Sequence, residues 1–309
     1  MTTRANPPLR LGTRRSPLAL AQAEEARGRL LAAHPGLSVE LVPVTASGDK
    51  VLDRPLAEIG GKALWTKELD HWLLSGEIDL AVHSAKDVET LRPADIALAA
   101  VLPREDVADV LVGAASIADL PAGARIGTSA PRRAAQLLHH RPDCRVVGIR
   151  GNVATRLAKL AAGEADATLL ARAGLNRLGQ GELGVPLDPA HWLPAPGQGA
   201  IAIECRANDP RTQALLAAID DAPSHAALLA ERALLAALGG NCHSAVAVLT
   251  RAEGTNLHLT AALFSPDGAE RIDGEARVAP GDVAALNAFA ASLLARATPA
   301  ITHHFNGAA

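Results

Sequence analysis

The sequence predicts an α/β fold: two similarly built α/β domains facing each other across a cleft, followed by a small α+β domain. Three observations predict it. Short apolar runs alternate with helical patterns through the first two-thirds of the chain, as strand–helix units around a largely parallel sheet do. The segment Leu11-Gly12-Thr13-Arg14-Arg15-Ser16-Pro17 is echoed at Ile126-Gly127-Thr128-Ser129-Ala130-Pro131-Arg132-Arg133. The last third then changes character, to an alanine- and leucine-rich helix, three candidate strands and a closing helix.

The elements follow in order. Leu9 to Gly12 reads as a strand and Pro17 to Ala33 as a helix, because Ser16 is a good N-cap and Pro17 a good first helical residue. Leu37 to Val44 reads as a second strand, Leu64 to Leu74 as a helix and Ile78 to Val82 as a buried strand. A second cycle opens with a short strand, Arg125 to Gly127, and a helix from Pro131 to His139. Arg145 to Ile149 is a strand, Val153 to Ala162 a helix capped by Asn152, and Ala167 to Ala171 a strand before a short helix around Leu175. Ser224 to Leu238 is helical. Beyond the Gly239-Gly240 break come strands at Ala245 to Leu249, Leu257 to Leu263 and Arg271 to Val278, with Ser265-Pro266-Asp267-Gly268 as a hairpin-type turn. A helix over Val283 to Arg296 closes the chain.

Composition narrows the function. A chain of 309 residues is long enough for two or three domains. With 49% hydrophobic and 20% charged residues it is an ordinary globular sequence, and a formal charge of −3 gives no general attraction to nucleic acid or to an anionic membrane. No segment has 18 uninterrupted strongly apolar residues, and Met1 to Arg10 is polar and unlike a signal peptide. Cys144, Cys205 and Cys242 are too few for a disulfide framework and form no CxxC pair. A reducing cytoplasm and a protein without structural zinc are expected.

Any strong anion site must then be a local cluster of cations. In open α/β sheets ligands bind beyond the carboxyl ends of the strands, and the residues just past the predicted strands are cationic. They include Arg14 with Ser16, Lys86, Ser129 with Arg132 and Arg133, Arg150 with Asn152 and Arg156, and Arg177. Arginines in a first helical turn oppose the helix dipole. An anionic ligand would relieve that cost and accept backbone N–H groups and bidentate guanidinium contacts. The cluster does not separate carboxylate from phosphate. Asp87 follows Lys86 in this cationic ring, where it should stay ionised and would stabilise a cation formed in a reaction; a helix cap or salt bridge is the plainer alternative. Cys242 lies in Gly239-Gly240-Asn241-Cys242-His243-Ser244, a tight turn where His243 would favour the thiolate, although a lone cysteine is more often a small apolar residue.

Two glycine-rich segments remain. Gly60-Gly61-Lys62 lacks P-loop spacing, and Pro194 to Ala200 reads as a hinge-like crossover between domains. On these residues alone, a binding protein for a small dicarboxylate or phosphate stays open. So does an enzyme for a phosphorylated metabolite, although that reading leaves Cys242 unexplained.

Several ordered motifs carry a resemblance. They are GTRRSPLALAQ, ELVPVTASGDK, IGGKALWTKELD, DLAVHSAKDV, IGTSAPRRAAQL, IRGNVATRLAKL, ARAGLNRLG, LPAPGQGAIAIEC and LGGNCHSAVAV. The sequence resembles the porphobilinogen deaminase (hydroxymethylbilane synthase) family over nearly its whole length. The resemblance implies two periplasmic-binding-protein-like (type II) α/β domains around a cleft, and a small C-terminal α+β domain with a three-stranded antiparallel sheet. The expected boundaries are residues 1–102 with 200–221, residues 103–199, and residues 222–309.

It also implies the chemistry. Four porphobilinogen molecules are joined head to tail into hydroxymethylbilane with release of ammonia, on a dipyrromethane cofactor held by Cys242 through a thioether. Asp87 matches the catalytic aspartate. Arg14, Ser16, Gln22, Asp49, Lys62, Lys86, Ser129, Arg132, Arg133, Arg150, Asn152, Arg156, Ala173, Arg177 and Gln198 match cofactor- and substrate-binding positions. The expected partners are porphobilinogen and the growing polypyrrole chain, with no metal, nucleic acid or membrane, in a cytoplasmic monomer. Glu58, Trp65, Glu89 and Ala130-Pro131 depart from the familiar pattern.

Overall fold

A computed structural model describes residues 7–44, 66–241 and 243–305. In chain order the described elements begin with β1 (Leu9–Arg14), α1 (Pro17–Ala33), β2 (Val39–Val44), α2 (Lys67–Ser75), β3 (Leu80–Ser84) and β4 (Ile96–Val101). Next come β5 (Asp109–Val112), β6 (Arg125–Gly127), α3 (Pro131–His140), β7 (Arg145–Val147), α4 (Val153–Ala161), β8 (Ala167–Ala171), α5 (Arg172–Arg177) and β9 (Val185–Pro186). The chain continues through β10 (Ile201–Arg206), α6 (Pro210–Ala217), α7 (Ala222–Ala237), β11 (Val246–Glu253), β12 (Asn256–Phe264), β13 (Arg271–Val278), α8 (Val283–Arg296) and α9 (Pro299–Thr302). It divides into two compact units: Met1–Arg104 with Ala200–His225, and Glu105–Gly199 with Ala226–Ala309.

The first unit holds a five-stranded sheet of order β2-β1-β3-β10-β4. β1 pairs in parallel with β2 and β3, while β10 runs antiparallel to β3 and β4. The second unit repeats the plan as β7-β6-β8-β5-β9, with β6 parallel to β7 and β8, and β5 antiparallel to β8 and β9. Both sheets are therefore mixed where the alternation predicted largely parallel ones. The four strands missing from the sequence reading are β4, β5, β9 and β10. Two of these carry a buried carboxylate, Asp109 in β5 and Glu204 in β10, which interrupts the apolar run by which a covered strand is recognised.

The internal echo is a duplication of geometry. Gly12 and Gly127 occupy matching places, and a Cβ on either would meet an isoleucine Cδ1, Ile78 at 2.3 Å or Ile149 at 2.4 Å. A side chain at either position would displace that isoleucine from its place against the strand. Thr13 and Thr128, one residue on, are both buried. α1 starts as its sequence predicts, with Ser16 Oγ accepting from Ala19 N and Pro17 in the first turn.

Leu11, Leu30, Leu80 and Ile203 pack on one side of the first sheet, and Leu69, Leu73, Ile78 and Ala81 form a second cluster with Val44. In the second unit Ile126, Leu137, Leu169 and Trp192 form the main cluster of the α/β part. The remaining sheet, β11-β12-β13, is antiparallel throughout. Leu259, Leu263, Phe289 and Leu293 close it under α8. The fold is thus two five-stranded α/β sheets of one plan and a small C-terminal antiparallel sheet with its helices. No helix among the described residues is long and apolar enough to cross a membrane.

Candidate functional site

In the first unit the predicted residues gather past the carboxyl ends of β1 and β3. Arg14 ends β1 and is half-buried, and Ser16 caps α1. Gln22, nearly two helical turns further on, is buried and exchanges two hydrogen bonds with Ser84 at the end of β3: Gln22 Nε2 donates at 2.9 Å and Ser84 Oγ donates back at 3.1 Å. This pair ties α1 to the strand leading into Lys86 and Asp87. Those two lie in a single 3-10 turn, Ala85–Asp87, closed by Val88 N donating to Ala85 O at 3.2 Å. Asp87 is exposed, and among the described residues its carboxylate takes part in no hydrogen bond. Its acceptors remain available to a ligand.

Behind that turn lies a buried charge cluster that sequence reasoning missed. Arg92 donates to both oxygens of Asp70, at 2.5 and 3.0 Å, and to both oxygens of Glu204, at 2.8 Å each. Glu89, one of the departures from the familiar pattern, reaches the same guanidinium at 3.4 Å. His83 Nε2 lies 3.3 Å from Glu204 Oε2. Burial would raise the Glu204 carboxyl, but the close approach of His83, and then the charge and hydrogen bonds of Arg92, outweigh it and bring it down to about 2.

In the second unit the same edge of the sheet is lined by donors. Ser129 follows β6 and donates to Ile149 O at 3.1 Å. Asn152 caps α4, its Oδ1 accepting from Thr155 N at 2.9 Å. Arg150 and Arg156 flank that cap and are half-buried, and Arg156 Nε donates to Gly151 O at 2.9 Å. From Arg145 to Gly163 the chain has no acidic residue. Ala173 is buried in α5, and Arg177 at its end donates to Gly199 O at 3.1 Å with Glu105 near enough to feel its charge.

Arg132 and Arg133 behave differently from their neighbours. Both are only 5% exposed, and each NH2 donates at 2.7 Å to a different oxygen of Asp109, which is itself fully buried. Their NH1 atoms donate to Leu193 O and Leu169 O. The anion that relieves their position at the start of α3 is therefore supplied by the protein. Arg133 Nε remains buried without a hydrogen-bond partner, an unusual condition for a guanidinium. Gln198, expected in a hinge, is fully buried and donates from Nε2 to Val107 O at 2.7 Å and to Asp109 Oδ1 at 2.9 Å. Trp192 Nε1 completes the ring around Asp109 at 2.9 Å. Burial would raise the Asp109 carboxyl, yet the charges and hydrogen bonds of the two arginines hold it well below the usual carboxylate range. Neither Asp109 nor Trp192 carries a local sequence signal; only their partners reveal them.

Cys242, Asp49, Lys62, Glu58 and Trp65 lie outside the described residues. Of the residues on either side, Ser244 N donates to Asn241 O, His243 N to Asn241 Oδ1 and Asn241 N to Ser244 Oγ. Asn241 and His243 are exposed. Cys144 and Cys205 are buried, and burial pushes the Cys205 thiol up to about 11, as expected of inert cysteines.

Comparisons with known proteins bear on both halves of the chain. A family model described as the porphobilinogen deaminase dipyromethane cofactor binding domain matches residues 9–214, and one described as the porphobilinogen deaminase C-terminal domain matches residues 225–294. The porphobilinogen deaminase of Sphingopyxis alaskensis is 57% identical over 308 residues, covering 96% of each chain. That of Paracoccus denitrificans is 49% identical over 300 residues and 95% of each chain. Among solved structures, the periplasmic aliphatic sulphonate binding protein SsuA from Escherichia coli is 16% identical with a TM-score of 0.42, over 75% of this chain and 70% of that one; a likeness that slight carries no weight on function.

Proposed function

The chain belongs to the porphobilinogen deaminase family, hydroxymethylbilane synthases with a dipyrromethane cofactor binding domain, and from that premise we propose how its own residues share the work. Cys242 Sγ anchors the dipyrromethane through a thioether. When bound, that group supplies the pyrrole carbon to which successive porphobilinogen units are joined. Arg14, Lys86, Arg150, Arg156 and Arg177 bind acetate and propionate groups, helped by Ser16, Ser129 and Asn152, while Arg132 and Arg133 act as a fixed pair. Gln22 and Gln198 hold the walls of the two units in place. Lys62 and Asp49 complete the set on the strength of the motifs in which they stand.

Asp87 carries the catalytic role. Loss of ammonia from a porphobilinogen unit leaves positive charge on its pyrrole nitrogen, and a nearby carboxylate stabilises that charge and orients the N–H groups. The single observation behind this is the state of Asp87: exposed at the carboxyl edge of β3, with its acceptor oxygens unused among the described residues.

The residues fit a polycarboxylate. They are N–H and O–H donors at the strand ends, and the half-buried Arg150 and Arg156 stand in a stretch, Arg145 to Gly163, without an acidic residue. The family boundaries, residues 1–102 with 200–221, then 103–199 and 222–309, give three domains. A cytoplasmic monomer that needs no metal completes the reading.

Intact-protein mass spectrometry tests it. Wild-type protein should carry the mass of two linked pyrrole units, or as apoprotein gain it on incubation with porphobilinogen and then turn over, and Cys242→Ser should carry and gain none. Asp87→Ala should retain porphobilinogen binding far better than turnover; equal losses of both would remove its catalytic assignment.

A further inference from the structure

We propose that Asp109 is a positioning residue for the polypyrrole's carboxylates: it locks Arg132 and Arg133 side by side and sets their joint charge to a single surplus cation. This rests on the proposed function, in which those two arginines bind carboxylates.

One carboxylate ties two separate segments to β5. Asp109 opens β5, opposite Ala171, the last residue of β8. Its Oδ2 accepts from Arg132 NH2 and Trp192 Nε1, and its Oδ1 from Arg133 NH2 and Gln198 Nε2, at 2.7 to 2.9 Å. The first turn of α3 and the 192–198 segment thus converge on one group. Among the described residues each guanidinium makes two hydrogen bonds, one to Asp109 and one to a backbone carbonyl. An arginine has five N–H donors in a rigid fork, so each guanidinium keeps N–H groups beyond these two bonds, on side chains that are only 5% exposed. Two guanidiniums side by side repel each other. Shared by one carboxylate they are held at a fixed separation with one positive charge left over.

This makes the sign of a charge-removing substitution informative. Asp109→Asn raises the positive charge around the pair while destroying its alignment, because an amide cannot accept from both guanidiniums on both sides. If alignment governs binding, the variant should bind more weakly despite its greater charge. We expect KM for porphobilinogen to rise about ten-fold or more with kcat within about three-fold, the pattern of lost uniform binding. The apo variant should also acquire the dipyrromethane mass about ten-fold more slowly. In 15N spectra the Arg132 and Arg133 Nε–H signals should be separate in wild-type protein and broadened in the variant. A KM equal to or below wild type, with unchanged arginine signals, overturns the proposal. Trp192→Phe keeps the ring and removes one donor to Asp109, so it should shift KM in the same direction by roughly two- to five-fold. It decides the matter alone if Asp109→Asn does not fold, and an unchanged KM there counts against Asp109. Arg132→Gln separates the two claims. A wild-type KM in that variant defeats the arginine reading itself, whereas a raised KM beside a normal Asp109→Asn defeats only the positioning role.

Discussion

Strands β5 and β10 occupy the same place in the two five-stranded sheets, each antiparallel to the third strand of a parallel trio. Each also carries a buried carboxylate, Asp109 or Glu204, but the two are used in opposite proportions. Asp109 is one anion shared by two guanidiniums. Glu204 is one of three carboxylates, with Asp70 and Glu89, gathered on the single guanidinium of Arg92. Height in the sheet accounts for the difference in purpose. Asp109 pairs with Ala171 at the carboxyl end of β8, whereas Glu204 pairs with Ala81, near the start of β3. A surplus cation at the carboxyl edge can meet an anionic ligand. A surplus of carboxylates lower in the sheet can only serve the fold.

That contrast predicts which substitutions unfold the protein. The largest effect should come from Arg92→Met, which strands Asp70 and Glu204 without their cation. Breaking a buried pair from one side costs about 3–5 kcal/mol, measurable as a fall in urea midpoint at unchanged slope. A loss below about 1 kcal/mol would mean the carboxylates find other partners, and the contrast would fail.

Acid should produce the next effect. The Glu204 carboxyl is lowered from 4.5 to about 2 in the folded protein, so its stabilisation is fully present above the unfolded value and is lost as pH falls toward 2. The amount is about 3 kcal/mol. Stability measured between pH 5 and pH 2 should decline less steeply in Glu204→Gln than in wild-type protein. Parallel curves would show that this carboxylate is not a source of acid lability. The smallest effect belongs to an exposed helix cap of the second unit. Asn152→Ala removes the cap of α4 and should cost about 1 kcal/mol in thermal melts; no change would mean the helix start is held by its neighbours.

The duplicated topology was partly visible in the chain. Leu11-Gly12-Thr13 and Ile126-Gly127-Thr128 announce it because an isoleucine packs over the glycine at the same step in each sheet. The helix that follows Ser16 and the one that follows Asn152 were legible for a similarly local reason, since a cap acts within three residues. Strands β5 and β10 were not legible. Asp109 and Glu204 look like surface residues until their partners arrive from positions 132, 133 and 92.

The candidate site divides along the same line. By itself the sequence determined the family, the cationic character of the strand ends and the order of the elements, because motifs, charges and capping residues are written locally. Only the tertiary structure decided which cations have a partner inside the protein. It turned Arg132 and Arg133 onto Asp109, raised the Cys205 thiol by burial and gave Arg92 three carboxylates. A charge buried away from water must find its complement wherever the fold places one, and that place is separated along the chain by tens of residues.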